Sequence, residues 1–313
     1  MSSEKMQCFQ TAFQIKGSVL KAIYQRVILC GMFGLFISIL YELKLPVFHP
    51  ILESVIPGIV LGLLLVLRTN TAYERFWEGR KCWGSIVNHS RNLARHIWVS
   101  IDEITPDDRE NKIAALYLLV AFAIATKRHL RGEAINHELE ELMHPSYYSK
   151  LINMNNPPLE VAFWIGDYLQ HQYKRKCINS YQLSGMQDLL NYLVDNLGGC
   201  ERILRTPMPL AYAIHLKQLL LLYCLLLPFQ IVQALGFWTG LITALVSFSL
   251  FGIEAIGLEI ENPFGYDNND LPLDTICKTM KRNIDDLMSL DPSGEFSRQK
   301  VWGYPNSQSV ENN

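Results

Sequence analysis

Between positions 218 and 253 the chain carries no charged side chain, an unbroken stretch of 36 residues. One membrane-crossing helix takes about twenty apolar residues, so this run holds two crossings. Gly236, Phe237, Trp238 and Gly240 lie near its middle, where a tight turn and an interfacial aromatic anchor belong. The pattern predicts a helical hairpin spanning 213–235 and 237–257.

Two further apolar segments precede it. Positions 27–41 (VILCGMFGLFISILY) are uncharged and bracketed by Tyr24 and Tyr41, and extending the segment to 23–42 gives a full first span. The basic flank Lys16, Lys21 and Arg26 lies too deep in the chain for a signal peptide, and no small-residue cleavage site follows. A second span is predicted over 50–68, interrupted by Glu53, Pro57 and Gly58. A proline inside a span removes a backbone donor, which lipid tolerates mainly where the helix faces protein or a wet cavity. The second span is therefore the candidate for lining something.

Past Leu67 the character changes. Tyr73, Phe76, Trp83, Ile86, Leu93 and Ile97 keep helical spacing among basic residues, predicting a helix that leaves the membrane and continues in water, with Gly79 as a candidate break. The segment 102–108 reads as a turn opening the next helix, whose run IAALYLLVAFAIAT (113–126) is too short to span and predicts a buried core helix. From 131 to 215 the chain reads as soluble and helical, without alternating β-branched runs. The expected fold is all-α: four spans, a large helical cytoplasmic region over 69–212, a cytoplasmic N-terminal segment (1–22) and a polar C-terminal segment (258–313) with a disordered end. The region behind the second span carries Arg68, Arg75, Arg80, Lys81, Arg91 and Arg95, whereas the first loop carries only Lys44. The positive-inside rule then puts both termini and the large polar region in the cytoplasm, and with no transit-peptide composition the expected location is a bacterial inner membrane.

A formal net charge of −2 gives no basic footprint for nucleic acid. Seven cysteines scattered singly read as small apolar thiols, not zinc ligands. No nucleophile–base motif, phosphate loop or HExxH is present, so no enzyme is expected.

Three stretches carry a family resemblance: TNTAYERFWEGRKCWG (69–84), GGCERILRTPMPLAY (198–212) and ENPFGYDNNDLPLD (261–274). In that order around four hydrophobic segments they resemble the bestrophins, in particular the bacterial and plant-plastid branch. The motif residues are Arg75, Phe76, Trp77, Gly198, Glu201, Arg202, Pro207, Pro209, Asn262, Pro263, Phe264 and Gly265. The resemblance implies a homopentamer in the lipid bilayer whose second helices surround one axial pore. Its neck would fall on Ile59, Leu63 and Leu67, and a second, cytoplasmic constriction near Ile178 and Tyr181. Spacing at i, i+4, i+8 does stack the three neck residues on one helix face; periodicity alone equally fits leucines facing lipid. Animal members bind calcium after the NPFG motif. Here Asp267 and Asp270 remain, but Tyr266, Asn268 and Asn269 replace other positions, and calcium needs six to eight oxygens, so a capped turn is the reading and no cofactor is expected.

The resemblance implies a channel for chloride or other small monovalent anions. A cation-selective pore of the same architecture and a non-conducting scaffold stay open. Arg75, Phe76, Trp77 and Arg80 read either as an anion-attracting vestibule or as partners for Glu74, Glu78, Glu201, Glu259 and Glu261. Glu254, near the end of the last span, is a functional candidate or an acid reaching the headgroups, and Lys217 is open in the same way.

Overall fold

The structure is a computed structural model, and it describes residues 17–49 and 55–290. Helices α1 (Leu20–Glu42), α2 (Ile56–Ser100), α3 (Asp107–Leu130), α4 (His137–Glu140), α5 (Pro145–Leu151), α6 (Pro157–Lys174), α7 (Ser180–Arg205), α8 (Leu210–Leu235), α9 (Thr239–Glu261) and α10 (Leu273–Met288) follow one another, with no strand among the described residues. The N-terminal segment before Gly17, the start of the predicted second span (50–54, with Glu53) and the polar end (291–313) lie outside the described residues.

Among the described residues, four helical stretches are long and apolar enough to cross a membrane: Leu20–Glu42, Ile56–Ser100, Asp107–Leu130 and Leu210–Glu261. Burial separates them. The apolar window of Asp107–Leu130 is 72% buried inside the protein, against 33%, 22% and 28% for the others. A helix hydrophobic all round and covered by its own chain is a core helix, so α3 is the centre of the extramembrane domain. Leu210–Glu261 breaks at Gly236, whose φ of +50° lies in the region glycine favours, and a short 3-10 turn, Gly236–Trp238, leads into α9. The spans are therefore α1, the first part of α2, α8 and α9.

Two expectations about α2 need correction. Pro57 does not interrupt it: the helix begins at Ile56, so the proline occupies the first turn, where its missing N–H has no intrahelical partner to lose. Nor does Gly79 break it. All 45 residues are one helix, roughly 65 Å long at 1.5 Å per residue. Gly79 is there for close approach, since a Cβ would come within 2.8 Å of Pro263 Cγ and 3.2 Å of the Phe264 ring.

Inside the membrane, α1 packs along α9 through small residues. A Cβ on Gly34 would sit 3.0 Å from Gly240 Cα, and one on Gly240 would sit 2.4 Å from Leu35 Cγ. Ser38, fully buried, donates to the carbonyls of Gly34 and Gly236, both at 3.0 Å. Close backbone contact and internal hydrogen bonds replace the hydrophobic drive that lipid does not supply. Outside it, α2, α3, α6 and α7 enclose a second core built on Trp83, Leu93, Leu119, Phe122, Ile165 and Leu193. Asp108 fixes the entry to α3: its Oδ2 accepts from the N–H groups of Ile104 and Thr105, both at 2.8 Å, and Arg175 binds both its oxygens at 2.6 and 2.9 Å. These contacts, Arg175 foremost, hold its carboxyl far below the usual range.

Candidate functional site

The site is built on α2, the helix shared by membrane and domain. In its membrane part Leu61, Leu65, Arg68 and Ala72 are buried, while Ile59, Leu63 and Leu67 are 65%, 60% and 51% exposed. The three therefore line one uncovered apolar face of the subunit. Further along, the exposed positions turn polar, with Asn70, Glu74 and Trp77, and then basic, with Arg80, Lys81, Arg91 and Arg95. Tyr212 holds α8 to this helix by donating to the Leu64 carbonyl at 2.7 Å.

The point where the spans leave the membrane is tied by Arg68, a residue the sequence offered only as one more positive charge. It is 2% exposed; Nη2 pairs with Glu261 Oε2 at 3.0 Å, and Nη1 lies 2.9 Å from Met208 Sδ. Glu261 Oε1 in turn accepts from the Met208 N–H at 2.9 Å. One ion pair thus joins α2, the end of α9 and the Pro207–Pro209 linker that starts α8, with Pro209 as the N-cap.

The sequence leaves Arg75 open as a partner for carboxylates. It binds backbone instead: the carbonyls of Glu261 at 3.2 Å, Ile203 at 2.5 Å and Thr206. The ends of α7 and α9 leave carbonyls without intrahelical donors, and a guanidinium fork satisfies several at once. Phe76 packs on the domain core and Trp77 is half exposed. Arg202 pairs with Glu78, and Glu201 binds His129 Nε2 at 2.7 Å and Asn156 Nδ2 at 3.0 Å. Gly198 lies within α7 with open space around it.

The ENPFG stretch is a keystone. Phe264 is fully buried, its carbonyl and that of Gly265 accept from Arg131 at 3.0 and 3.2 Å, and Pro263 O accepts from the Leu271 N–H at 2.9 Å. Asn262 Oδ1 accepts from the Phe264 N–H at 3.3 Å. Asp270 closes the turn, its Oδ2 accepting from the Asp267 N–H at 2.7 Å while its Oδ1 is buried with no hydrogen-bond partner among the described residues. No group of three or more potential metal-ligating side chains forms among the described residues. Of the two residues expected at a cytoplasmic constriction, Ile178 is buried at 5% exposure and Tyr181, in the first turn of α7, is 89% exposed. Only Tyr181 presents a side chain to the surroundings of the subunit.

Burial pushes the Asp270 carboxyl up to about 6, and its carboxylate neighbours Asp267 and Glu259 add to the shift. An unfolded aspartate titrates near ~3.9, so between those values the folded turn binds a proton that the unfolded chain releases. This group's contribution is therefore most favourable at low pH and declines as pH rises through the folded value. The Asp270-dependent part of the folding stability should increase on going from pH 7 to pH 5, by about 1 kcal/mol. Asp270→Asn should abolish that dependence. Hydrogen exchange corrected for intrinsic rates reads both.

A profile described as bacterial/fungal bestrophin protein matches residues 1–286. The chain belongs to the bestrophin family. It is 73% identical over 293 residues to a voltage-dependent anion channel-forming protein of Nostoc sp., covering 94% of this chain and 95% of that one. A protein of the same description from Escherichia coli is 30% identical over 284 residues, 90% of each chain. Among solved structures, a bacterial bestrophin homolog from Klebsiella pneumoniae superposes with a TM-score of 0.77 at 27% identity, covering 86% of this chain and all of that one. The chain is thus an integral membrane bestrophin, a member of a family of channel proteins and not of enzymes.

Proposed function

We propose that this bestrophin is a homopentameric channel for chloride and other small monovalent anions, with five α2 helices around the pore. The observation that carries the reading is the uncovered face of α2. A single helix exposes Ile59, Leu63 and Leu67 at membrane depth and then Arg80, Lys81, Arg91 and Arg95 beyond it. Repeated about an axis, the apolar positions form a neck that closes by dewetting, and the basic positions raise the local anion concentration behind it. The relatives named as anion channel-forming proteins support the same direction of selectivity. Tyr181 supplies the second constriction. No resident calcium is part of the proposal, since two aspartates flanked by amides fall short of the six to eight oxygens that ion takes.

The bias of basic residues toward the α2 extension supports a cytoplasmic domain and cytoplasmic termini under the positive-inside rule, and the proposed location is a bacterial inner membrane. The test is a reversal potential across a tenfold KCl gradient with purified protein in a planar bilayer. Displacement toward the chloride equilibrium potential is expected. Displacement toward that of potassium would mean a cation pore of the same architecture, and the absence of any current would favour a scaffold.

A further inference from the structure

A cavity of about 430 Å³ opens between α1, α8 and α9 at the end of the membrane nearest the domain. Its mouth carries Arg26 and Lys217, both exposed, and its wall carries Glu254. Glu254 is only 2% exposed, yet neither carboxylate oxygen accepts a hydrogen bond from the described residues. The ion pair it makes is long, with Arg26 Nη1 at 3.8 Å, and the Arg26 guanidinium lies 6.0 Å from the centre of the Phe251 ring. A buried acid with both oxygens unserved is costly unless a further donor reaches it. The pore reading gives it no task, because the cavity lies on helices other than α2.

We infer that this cavity is a binding site for an anionic phospholipid with a hydroxylated headgroup, of the phosphatidylglycerol class. Each part of such a lipid has a counterpart. Arg26 and Lys217 take the phosphate, a headgroup hydroxyl donates to Glu254, and the acyl chain lies along Leu29, Phe33 and Leu225. The depths agree: Phe33 lies seven residues beyond Arg26 and Leu225 eight beyond Lys217, roughly 10–12 Å further into the membrane at 1.5 Å per residue. Charge selects the class. Two cations and one carboxylate leave the site at +1, which a lipid of charge −1 neutralises and a zwitterionic one does not. A hydroxyl, not a second cation, suits Glu254, since Arg26 already provides positive charge nearby.

The experiment is native mass spectrometry of the full-length assembly, delipidated in a neutral detergent and titrated with phosphatidylglycerol, phosphatidylcholine or phosphatidic acid. Phosphatidylglycerol is expected to bind at one copy per subunit and at least tenfold more tightly than phosphatidylcholine. The double variant Arg26→Ala, Lys217→Ala should lose about tenfold or more in that affinity, the scale of one lost charge-assisted hydrogen bond. Glu254→Gln should still bind anionic lipid but lose the preference for phosphatidylglycerol over phosphatidic acid, which has no headgroup hydroxyl. If the double variant fails to assemble, Leu225→Trp, which fills the acyl groove and leaves every charge in place, should block lipid retention. Equal retention of phosphatidylcholine, an unaltered affinity in the variants, or displacement by millimolar inorganic phosphate would overturn the assignment. So would a cross-link from this groove to a neighbouring subunit.

Discussion

Arg68→Ala is expected to destabilise the protein by about 3–5 kcal/mol, the range for breaking a buried ion pair by removing one partner. The size follows from what is left behind. Glu261 is 16% exposed and would keep one bond to the Met208 N–H while losing its ion pair with Arg68. Met208 Sδ would lose its donor, and the stem of Arg68 that packs beside Gly257 would leave a void. Three elements lose a shared tie at once, because the pair joins α2, α9 and the linker into α8. The double variant Arg68→Met, Glu261→Gln removes both charges, retains an acceptor for Met208 N–H and fills the space with an unbranched side chain. It should recover most of the loss, since a hydrophobic replacement of a buried pair is often neutral. Thermal unfolding of detergent-solubilised protein, with the two single variants completing a double-mutant cycle, measures both effects. A loss under 1 kcal/mol for Arg68→Ala would mean the pair is dispensable.

That pair marks the limit of what was legible beforehand. The charge-free run 218–253 and the helical spacing along 73–97 were enough for an all-α membrane protein, because hydropathy and period each report a local property. Arg68 was counted only as a positive charge, since its partner lies 193 positions away and nothing local marks a salt bridge at that separation. Pro57 misled for a related reason: a proline looks the same in sequence whether it sits mid-helix or in the first turn, and the difference is where the helix begins. Gly79 read as a break because glycine weakens a helix locally, whereas its use here is to admit Pro263 and Phe264 from a distant turn. Arg75 suggested carboxylates, yet carbonyls left over at helix ends are acceptors that no residue type advertises. In sequence Glu254 is one acid near the end of a span. Only the structure shows that it is buried and that Arg26 and Lys217 share its cavity.

Replacing Ile59, Leu63 and Leu67 together by alanine should raise anion conductance by roughly tenfold or more, with folding nearly unaffected. The three side chains are more than half exposed on the subunit, so truncating them removes little buried surface, and exposed substitutions of this kind usually stay within about 0.5 kcal/mol. Their effect on permeation is a different quantity. In the proposed pentamer, each truncation acts five times in one ring; widening the ring and removing its apolar lining lowers the cost of keeping water, and an ion with its hydration shell, in the neck. A barrier lower by only about 1.4 kcal/mol gives the tenfold increase. Selectivity should change less than rate, because the basic positions Arg80, Lys81, Arg91 and Arg95 beyond the neck are untouched and continue to concentrate anions. Single-channel recording of wild type and triple variant in the same bilayer separates the two readings of this face. Stripped of three large side chains, a face that meets lipid leaves the current as it was; one that surrounds the axis opens it.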